Sequence, residues 1–297
     1  MNYLGIDGGG TKTTALVCDE NFNKLAQCVG GSINTRSEGL ENARENMRRI
    51  LRDIEKNTGV RHFDAVFIGS SALFGRAGED ELAAFTDGVF DAERIAMDSD
   101  LFIALKACKK ENALAAICGT GSMAAAFGEN GEVVTRGGFG YMFGDEGSAY
   151  AIAREAMFRA ARAAEGTEKN TALTDALCAF YNVKDVYGFT DRMYEPPMER
   201  KALAAFAPCV TACAENGDGT ALEILRHQAE LFAATVRTLA EKLPRKPEIF
   251  LFGGVFEHDK IFTSVFKEYT ADRCVSCSLL TEPPVTGAVR AAAELCQ

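Results

Sequence analysis

Tyr3-Leu4-Gly5-Ile6-Asp7-Gly8-Gly9-Gly10-Thr11-Lys12-Thr13 opens the chain with an apolar strand that runs into a glycine turn and out into a second strand. Glycines let the backbone turn tightly and approach a ligand with no Cβ in the way. Successive N–H groups of such a turn form an anion nest, to which Thr11 and Thr13 add hydroxyls and Lys12 adds charge. Asp7, just upstream, is placed to hold Mg²⁺ through water, because Mg²⁺ takes one or two carboxylates and keeps several of its waters. The G-x-x-x-x-G-K-[ST] loop of P-loop nucleotide-binding proteins is absent.

Outward from this stretch the pattern continues as strands at 2–7, 13–18 and 24–29. A helix follows, with Leu40, Ala43, Met47, Ile50, Leu51 and Ile54 at helical spacing and Gly59 where a C-cap belongs. Phe63 to Gly69 reads as a buried strand. A short helix over roughly 79–88 and a strand ending near Met97 follow, and Ser99 or Asp100 caps the next helix. Then the opening recurs. Ala113 to Cys118 is apolar, Gly119-Thr120-Gly121-Ser122 is a turn, Met123 to Phe127 is a strand, Glu129-Asn130-Gly131 signals a hairpin, and Glu132 to Arg136 closes the unit. A duplicated strand–turn–strand–turn–strand frame predicts two related α/β halves with a cleft between them. The expected domains are 1–112 with 284–297, and 113–283 with a helical insertion. The insertion is predicted as helices at 147–164, 171–182, 199–216 and 219–242. A strand at 248–253, a helix from about 259 and a last helix at 285–295 complete the reading.

Composition narrows the function. Hydrophobic residues make up 47% and charged residues 25% of 297, as in ordinary soluble proteins. The formal net charge of -10 argues against nucleic acid, whose phosphates are met by basic surfaces. It does not argue against ATP, whose charge Mg²⁺ and backbone amides can meet. The chain has no apolar run of ~18 residues and no leader pattern at its start, so a cytoplasmic protein without a membrane span is expected. The ten cysteines are then expected as mostly buried thiols. Cys274-x-x-Cys277 is a single pair, short of the ligands of a structural zinc site.

Four further places carry chemistry. Asp100, at a strand–helix junction, suits a general base for an alcohol attacking a γ-phosphate, and equally suits a helix cap; Asp98 competes for the first role. The stretch Gly137-Gly138-Phe139-Gly140-Tyr141-Met142-Phe143-Gly144-Asp145-Glu146-Gly147-Ser148 reads as backbone held close to a ligand. Asp145 or Glu146 would accept from sugar hydroxyls, and Phe139 or Tyr141 would pack on an apolar sugar face. Asn34, after Gly30-Gly31, carries donors and an acceptor for a polyhydroxy or amide substrate, and is equally at home in a turn. Gly253-Gly254 follows Ile249–Phe252 and would let backbone lie flat on adenine or ribose.

The order of these motifs resembles the sugar kinase/Hsp70/actin superfamily. Gly137–Ser148 is similar to the G-G-W-G-x-x-x-G-D-E-G-S stretch of N-acetylglucosamine kinases in the BadF/BadG/BcrA/BcrD ATPase family. Pro284-Val285-Thr286-Gly287-Ala288 is similar to that family's closing P-V-x-G-A motif. The resemblance implies duplicated ribonuclease H-like (actin-like ATPase) domains with an interdomain cleft. It also implies ATP-dependent transfer to an amino sugar, with N-acetylglucosamine and its 6-hydroxyl favoured over glucosamine, N-acetylmuramic acid or glucose, and a homodimer. It assigns ATP and Mg²⁺ as cofactors. Asp7, Gly9, Gly10, Thr11, Lys12 and Thr13 form the first phosphate motif, and Gly119, Thr120, Gly121 and Ser122 the second. Gly253 and Gly254 contact adenosine. Asp100, rather than Asp98, is the base, and Asn34, Gly138, Phe139 and Asp145 bind the sugar. Phe139 stands where the family has tryptophan and Ser99 where it has asparagine. The family also holds activator ATPases with cluster-binding cysteines. Cys118 precedes the second turn, but no matching second cysteine motif follows.

Overall fold

The computed structural model describes residues 1–194 and 196–297. In chain order the elements are β1 (Asn2–Gly8), β2 (Thr13–Asp19), β3 (Lys24–Gly30), α1 (Thr35–Glu38), α2 (Leu40–Thr58), β4 (Ala65–Ser70), α3 (Glu79–Thr86), β5 (Ile95–Ser99) and α4 (Asp100–Ala107). There follow β6 (Ala113–Cys118), β7 (Ser122–Phe127), β8 (Val133–Gly137), α5 (Ala149–Ala164), α6 (Leu173–Tyr181), α7 (Val186–Tyr194), α8 (Arg200–Ala204), α9 (Ala207–Glu215) and α10 (Gly219–Ala240). The chain closes with β9 (Glu248–Phe252), α11 (Gly254–His258), α12 (Lys260–Thr270), β10 (Ser276–Leu279) and α13 (Pro284–Glu294). It divides into two compact units. The first holds Met1–Ala113, Phe127–Val133 and Leu280–Gln297; the second holds Leu114–Ala126 and Val134–Leu279.

The first unit is built on a five-stranded sheet in the order β3-β2-β1-β4-β5. β1 pairs antiparallel with β2, β2 antiparallel with β3, and β1–β4 and β4–β5 run parallel. Its central strands are apolar on both faces, as a sheet covered on both sides requires. Alternate side chains divide between two cores. Leu4, Ile6, Val66 and Ile68 lie with Met47, Ile50 and Ile54 of α2, and Tyr3, Ala65 and Phe67 lie with Ile103 of α4 and the apolar face of α13. Helix α2 ends as its pattern predicts, with Gly59 in the left-handed conformation at φ 75° and its N–H on the Glu55 carbonyl.

Close approach, rather than turn geometry, explains two glycines here. A Cβ on Gly5 would lie 2.4 Å from the backbone N of Val289, and one on Gly287 would lie 1.9 Å from the Ile103 carbonyl oxygen. Gly287 belongs to the closing motif, so that motif is where α13 meets the backbone of α4.

The second unit repeats the strand order as β8-β7-β6-β9-β10, with β6–β7 antiparallel and β9–β10 parallel. The duplicated ribonuclease H-like frame expected from the sequence is therefore present. Its core joins Leu114, Ala116 and Ala124 of the sheet to α5, α9 and α10, with Phe232, Phe256, Phe262 and Phe266 packed ring against ring.

Several local expectations differ. The helix expected over 199–216 is two helices, α8 and α9, because Pro208 stands in the first turn of α9. Proline lacks the N–H a continuing helix needs and clashes with the preceding turn. Helices α1, α7 and α11 and strand β10 were not anticipated. The burial of β10 is slight and carries no alternation: Cys277 is half-buried while Ser276, Ser278 and Leu279 are exposed. All ten cysteines are free thiols. Among the described residues no helix is long and apolar enough to cross a membrane, and no group of three or more His, Cys, Asp or Glu is placed to hold a metal. Cys277 is pushed up to about 11 by burial and by its neighbour Cys274.

Candidate active site

In the first unit, strand register gathers the polar residues at one end of the parallel strands. Asp7 pairs with Gly69 and Gly69 with Asp98, while Gly8 pairs with Ser70 and Ser70 with Ser99. The C-terminal ends of parallel strands are where open α/β sheets bind ligands. The chain then turns into α4, so Asp100 enters the helix one residue beyond this row.

Ser99, not Asp100, caps α4: its Oγ accepts from the Phe102 N–H at 3.3 Å. The carboxylate of Asp98 is buried and accepts from the Ser99 N–H at 2.6 Å. The two aspartates therefore differ in their surroundings. Asp98 is used inside the strand–helix junction, and Asp100 is spared the capping duty. Burial pushes the Asp100 carboxyl up, against the N–H groups of Leu101 and of Asp100 itself, which favour its charged form.

Asp7 is pushed up to about 6, first by burial, then by the nearby Asp100 carboxylate, with Lys12 pulling the other way. Two carboxylates sharing a desolvated corner call for a cation, so these residues fit Mg²⁺ held by one protein carboxylate, waters and phosphate oxygens. When bound, the ion would neutralise charge on phosphate oxygens. Because the folded-state value of about 6 lies above the ordinary 3.8, protonating Asp7 stabilises the fold. That contribution is fully present below 3.8 and is lost as pH rises through about 6. Asp7→Asn is therefore expected to raise Tm at pH 7.5 by about 5 °C in the absence of metal and nucleotide. The gain should disappear toward pH 4, and differential scanning fluorimetry across pH reads both. A variant that melts lower at pH 7.5 would mean that the carboxylate is not under strain.

The first glycine turn is closed by the Gly9 N–H on the Lys12 carbonyl at 3.0 Å. Gly10, Thr11 and Lys12 are exposed at its tip, and Gly10 has open space where a Cβ would stand. Thr13 is fully buried, and its hydroxyl accepts from the Ile33 N–H at 3.1 Å, which ties the end of the first meander to the turn. Asn34 caps α1 by accepting from the N–H groups of Arg36 and Ser37, and its amide donates to the Ser71 hydroxyl at 3.0 Å. Ser71 in turn donates its N–H to the Gly8 carbonyl at 2.9 Å. The structure brings together Asp7, Gly8, Asn34 and Asp100 at this end of the sheet. Ser71, the residue that ties Asn34 to the turn, has no motif that would have singled it out.

In the second unit the other two glycine turns meet. A Cβ on Gly253, whose φ is +94°, would lie 2.4 Å from the Cys118 carbonyl oxygen. Gly119, Thr120 and Gly254 line one cavity of about 580 Å³. Its walls include small residues of α8 and α9, among them Ala204, Ala207 and Ala212, and its polar side carries Thr211, Asp259, Lys201, Glu215 and His258. The Thr211 hydroxyl donates to Asp259 at 2.6 Å, and Asp259 accepts from the Phe262 N–H to cap α12. A volume of this order and a wall that joins an apolar side to a polar one suit a small-molecule ligand.

The second turn and the Gly137–Ser148 stretch are stitched together. The Ser122 hydroxyl donates to the Glu146 carbonyl at 2.6 Å and the Ala149 N–H to the Gly119 carbonyl at 2.8 Å. The Cys118 thiol donates to the Gly147 carbonyl at 3.0 Å, and Gly147 donates its own N–H to Gln228 at 2.8 Å. Cys118 is completely buried and burial raises its thiol far above the usual range, so it serves the fold of this stretch rather than a surface cluster.

Asp145 is 4% exposed and holds a left-handed backbone at φ 61°. Burial raises its carboxyl, while Arg200 and the N–H groups of Gly140 and Ser122 pull it down. Its partner Arg200, at 3.5 Å, comes from α8 and carried no sequence signal. Gly138 is left-handed, and a Cβ there would meet Met123 at 2.0 Å. Phe139, 67% exposed, stacks on Phe143 at 6.0 Å.

Comparison with known proteins agrees with this fold. A model of the BadF/BadG/BcrA/BcrD ATPase family matches residues 4–293. An N-acetylmuramic acid/N-acetylglucosamine kinase of Clostridium acetobutylicum is 23% identical over 280 residues, covering 91% of this chain and 90% of that protein. An N-acetyl-D-glucosamine kinase of Dictyostelium discoideum is 24% identical over 296 residues, covering 94% and 92%. Among solved structures, an N-acetylglucosamine kinase candidate of Chromobacterium violaceum superposes with a TM-score of 0.75 at 22% identity, covering 97% of this chain and 98% of that one.

Proposed function

We propose, from the premise that the chain belongs to the BadF/BadG/BcrA/BcrD ATPase family, that it is an ATP-dependent kinase of an amino sugar. N-acetylglucosamine is the favoured acceptor, phosphorylated at its 6-hydroxyl. The observation that carries this reading is the placement of Asp100: half-buried at the end of the parallel strands, relieved of capping by Ser99, in electrostatic contact with Asp7, and with its carboxyl raised by desolvation. A carboxylate so placed is a competent acceptor for the proton of an attacking alcohol. The two curated relatives, whose names are those of amino-sugar kinases, support the substrate class.

In this reading Gly9 to Lys12 and Gly119 to Ser122 take phosphate oxygens on backbone N–H groups. The cavity of the second unit takes adenosine against Gly254 and the alanines of α8 and α9. Thr13 acts by holding the first turn. Asn34, Gly138, Phe139 and Asp145 face the sugar, with phenylalanine offering a smaller apolar surface than the family's tryptophan. Positioning and electrostatics supply most of the rate in such transfers, and exclusion of water protects the phosphoryl group from hydrolysis. The free thiols suit a reducing cytoplasm, and a homodimer is part of the same reading.

An ADP-release assay with N-acetylglucosamine, glucosamine, N-acetylmuramic acid and glucose tests it. The highest kcat/KM is expected for N-acetylglucosamine. Preference for another of the amino sugars would keep the class and change the substrate, and turnover of none of the four would overturn the reading.

A further inference from the structure

Arg200 occupies a place that none of the assigned roles explains. It opens α8, yet its guanidinium lies across two other elements of the second unit. A Cβ on Gly121 would meet its Nη2 at 2.5 Å and the Asp145 Oδ2 at 2.7 Å, so Arg and Asp both rest on the floor of the second glycine turn. The guanidinium also stands 5.6 Å from the centre of the Tyr141 ring.

The pairing is loose. Nη2 to Asp145 is 3.5 Å, beyond an ordinary charge-assisted hydrogen bond, and Nε is buried with no hydrogen-bond partner. An arginine fork has five N–H donors and matches phosphate as well as carboxylate. Here, donors are left over beside a turn whose backbone suits phosphate, while the cation rests on the carboxylate that would bind the sugar.

We infer that Arg200 is a positioning residue that exchanges partners. Without nucleotide it covers Asp145. With phosphates on Gly119–Ser122 it turns its fork to a phosphate oxygen and leaves the Asp145 carboxylate to accept from a sugar hydroxyl. The inference rests on the proposed kinase reading and adds a coupling to it: nucleotide strengthens sugar binding, and by linkage sugar strengthens nucleotide binding by the same factor. Burial raises the Asp145 carboxyl and the neighbouring Arg200 lowers it, so the guanidinium favours the charged carboxylate.

Isothermal titration of the full chain with N-acetylglucosamine tests the exchange, run alone, with adenosine, and with an imido-bridged non-hydrolysable ATP analogue. In the wild type the analogue is expected to tighten sugar binding about tenfold, a typical coupling, and adenosine, which has no phosphate, to leave it unchanged. In Arg200→Gln the ratio with and without analogue should fall to about one, whatever the sugar affinity itself becomes. Arg200→Lys keeps the charge and loses the fork, and should lose most of the ratio even if the glutamine variant folds poorly. A ratio in either folded variant equal to the wild type's, or tightening by adenosine alone, overturns the exchange while leaving the kinase reading intact. Failure of the wild type to phosphorylate any of the four sugars overturns both.

Discussion

Asp100→Asn lowers kcat for sugar phosphorylation by about 10³-fold while the Kd for ATP changes less than about threefold, the pattern expected when a general base is removed and the binding surface kept. Asparagine preserves shape and cannot take the proton. The helix keeps its cap, because Ser99 Oγ bonds the Phe102 N–H whatever stands at position 100. Asp98→Asn is the control. Its Oδ1 accepts from the Ser99 N–H and Ser99 Oγ, which the oxygen of an asparagine can still do, so this variant should leave kcat within about tenfold. Initial rates of ADP release with parallel nucleotide titrations separate the two. Near wild-type turnover in Asp100→Asn, or a larger kcat loss in Asp98→Asn, would transfer the role of base.

The largest effect on stability is expected at Gly287. A methyl group there would sit 1.9 Å from the Ile103 carbonyl oxygen and 2.6 Å from the Ala107 backbone N. Both are backbone atoms of α4, so no rotamer change relieves the clash. Helix α13 must move off α4, and the packing of Ala288, Val289 and Ala292 on Tyr3, Phe67 and Ile103 goes with it. Gly287→Ala is expected to cost about 3 kcal/mol or more, at the upper end of overpacking effects and in spite of alanine's better helix propensity. Urea denaturation followed by circular dichroism measures this. Because α4 begins with Asp100, the residual folded protein should also show a lower kcat. A variant as stable as the wild type would show that the two helices can part at little cost.

The comparison of Gly287 with Gly10 shows where sequence reading stops. Both are glycines in motifs. Gly10 lies in open space at a turn tip, so its use is local and can be read from Gly8-Gly9-Gly10 alone. Gly287 sits in a helix, where glycine is locally unfavourable, and its reason is a helix more than 170 positions upstream in chain order. The break between α8 and α9 was legible in principle, since Pro208 announces it. Strand β10 was not: it carries two serines and no apolar alternation, and pairing with β9 is what makes it a strand.

By itself the sequence determined the duplicated α/β frame and the glycine turns, because strand and turn signals depend on residues a few positions apart. The placement of Asp7 and Asp100 in electrostatic contact follows from strand register across β1, β4 and β5. Whether Ser99 or Asp100 caps α4 was open in the sequence, which offers both residues for the cap. The meeting of Gly119 with Gly254, and of Arg200 with Asp145 on Gly121, joins residues from separate elements. Only the tertiary structure decided these, because no local rule links chain segments whose proximity is created by packing.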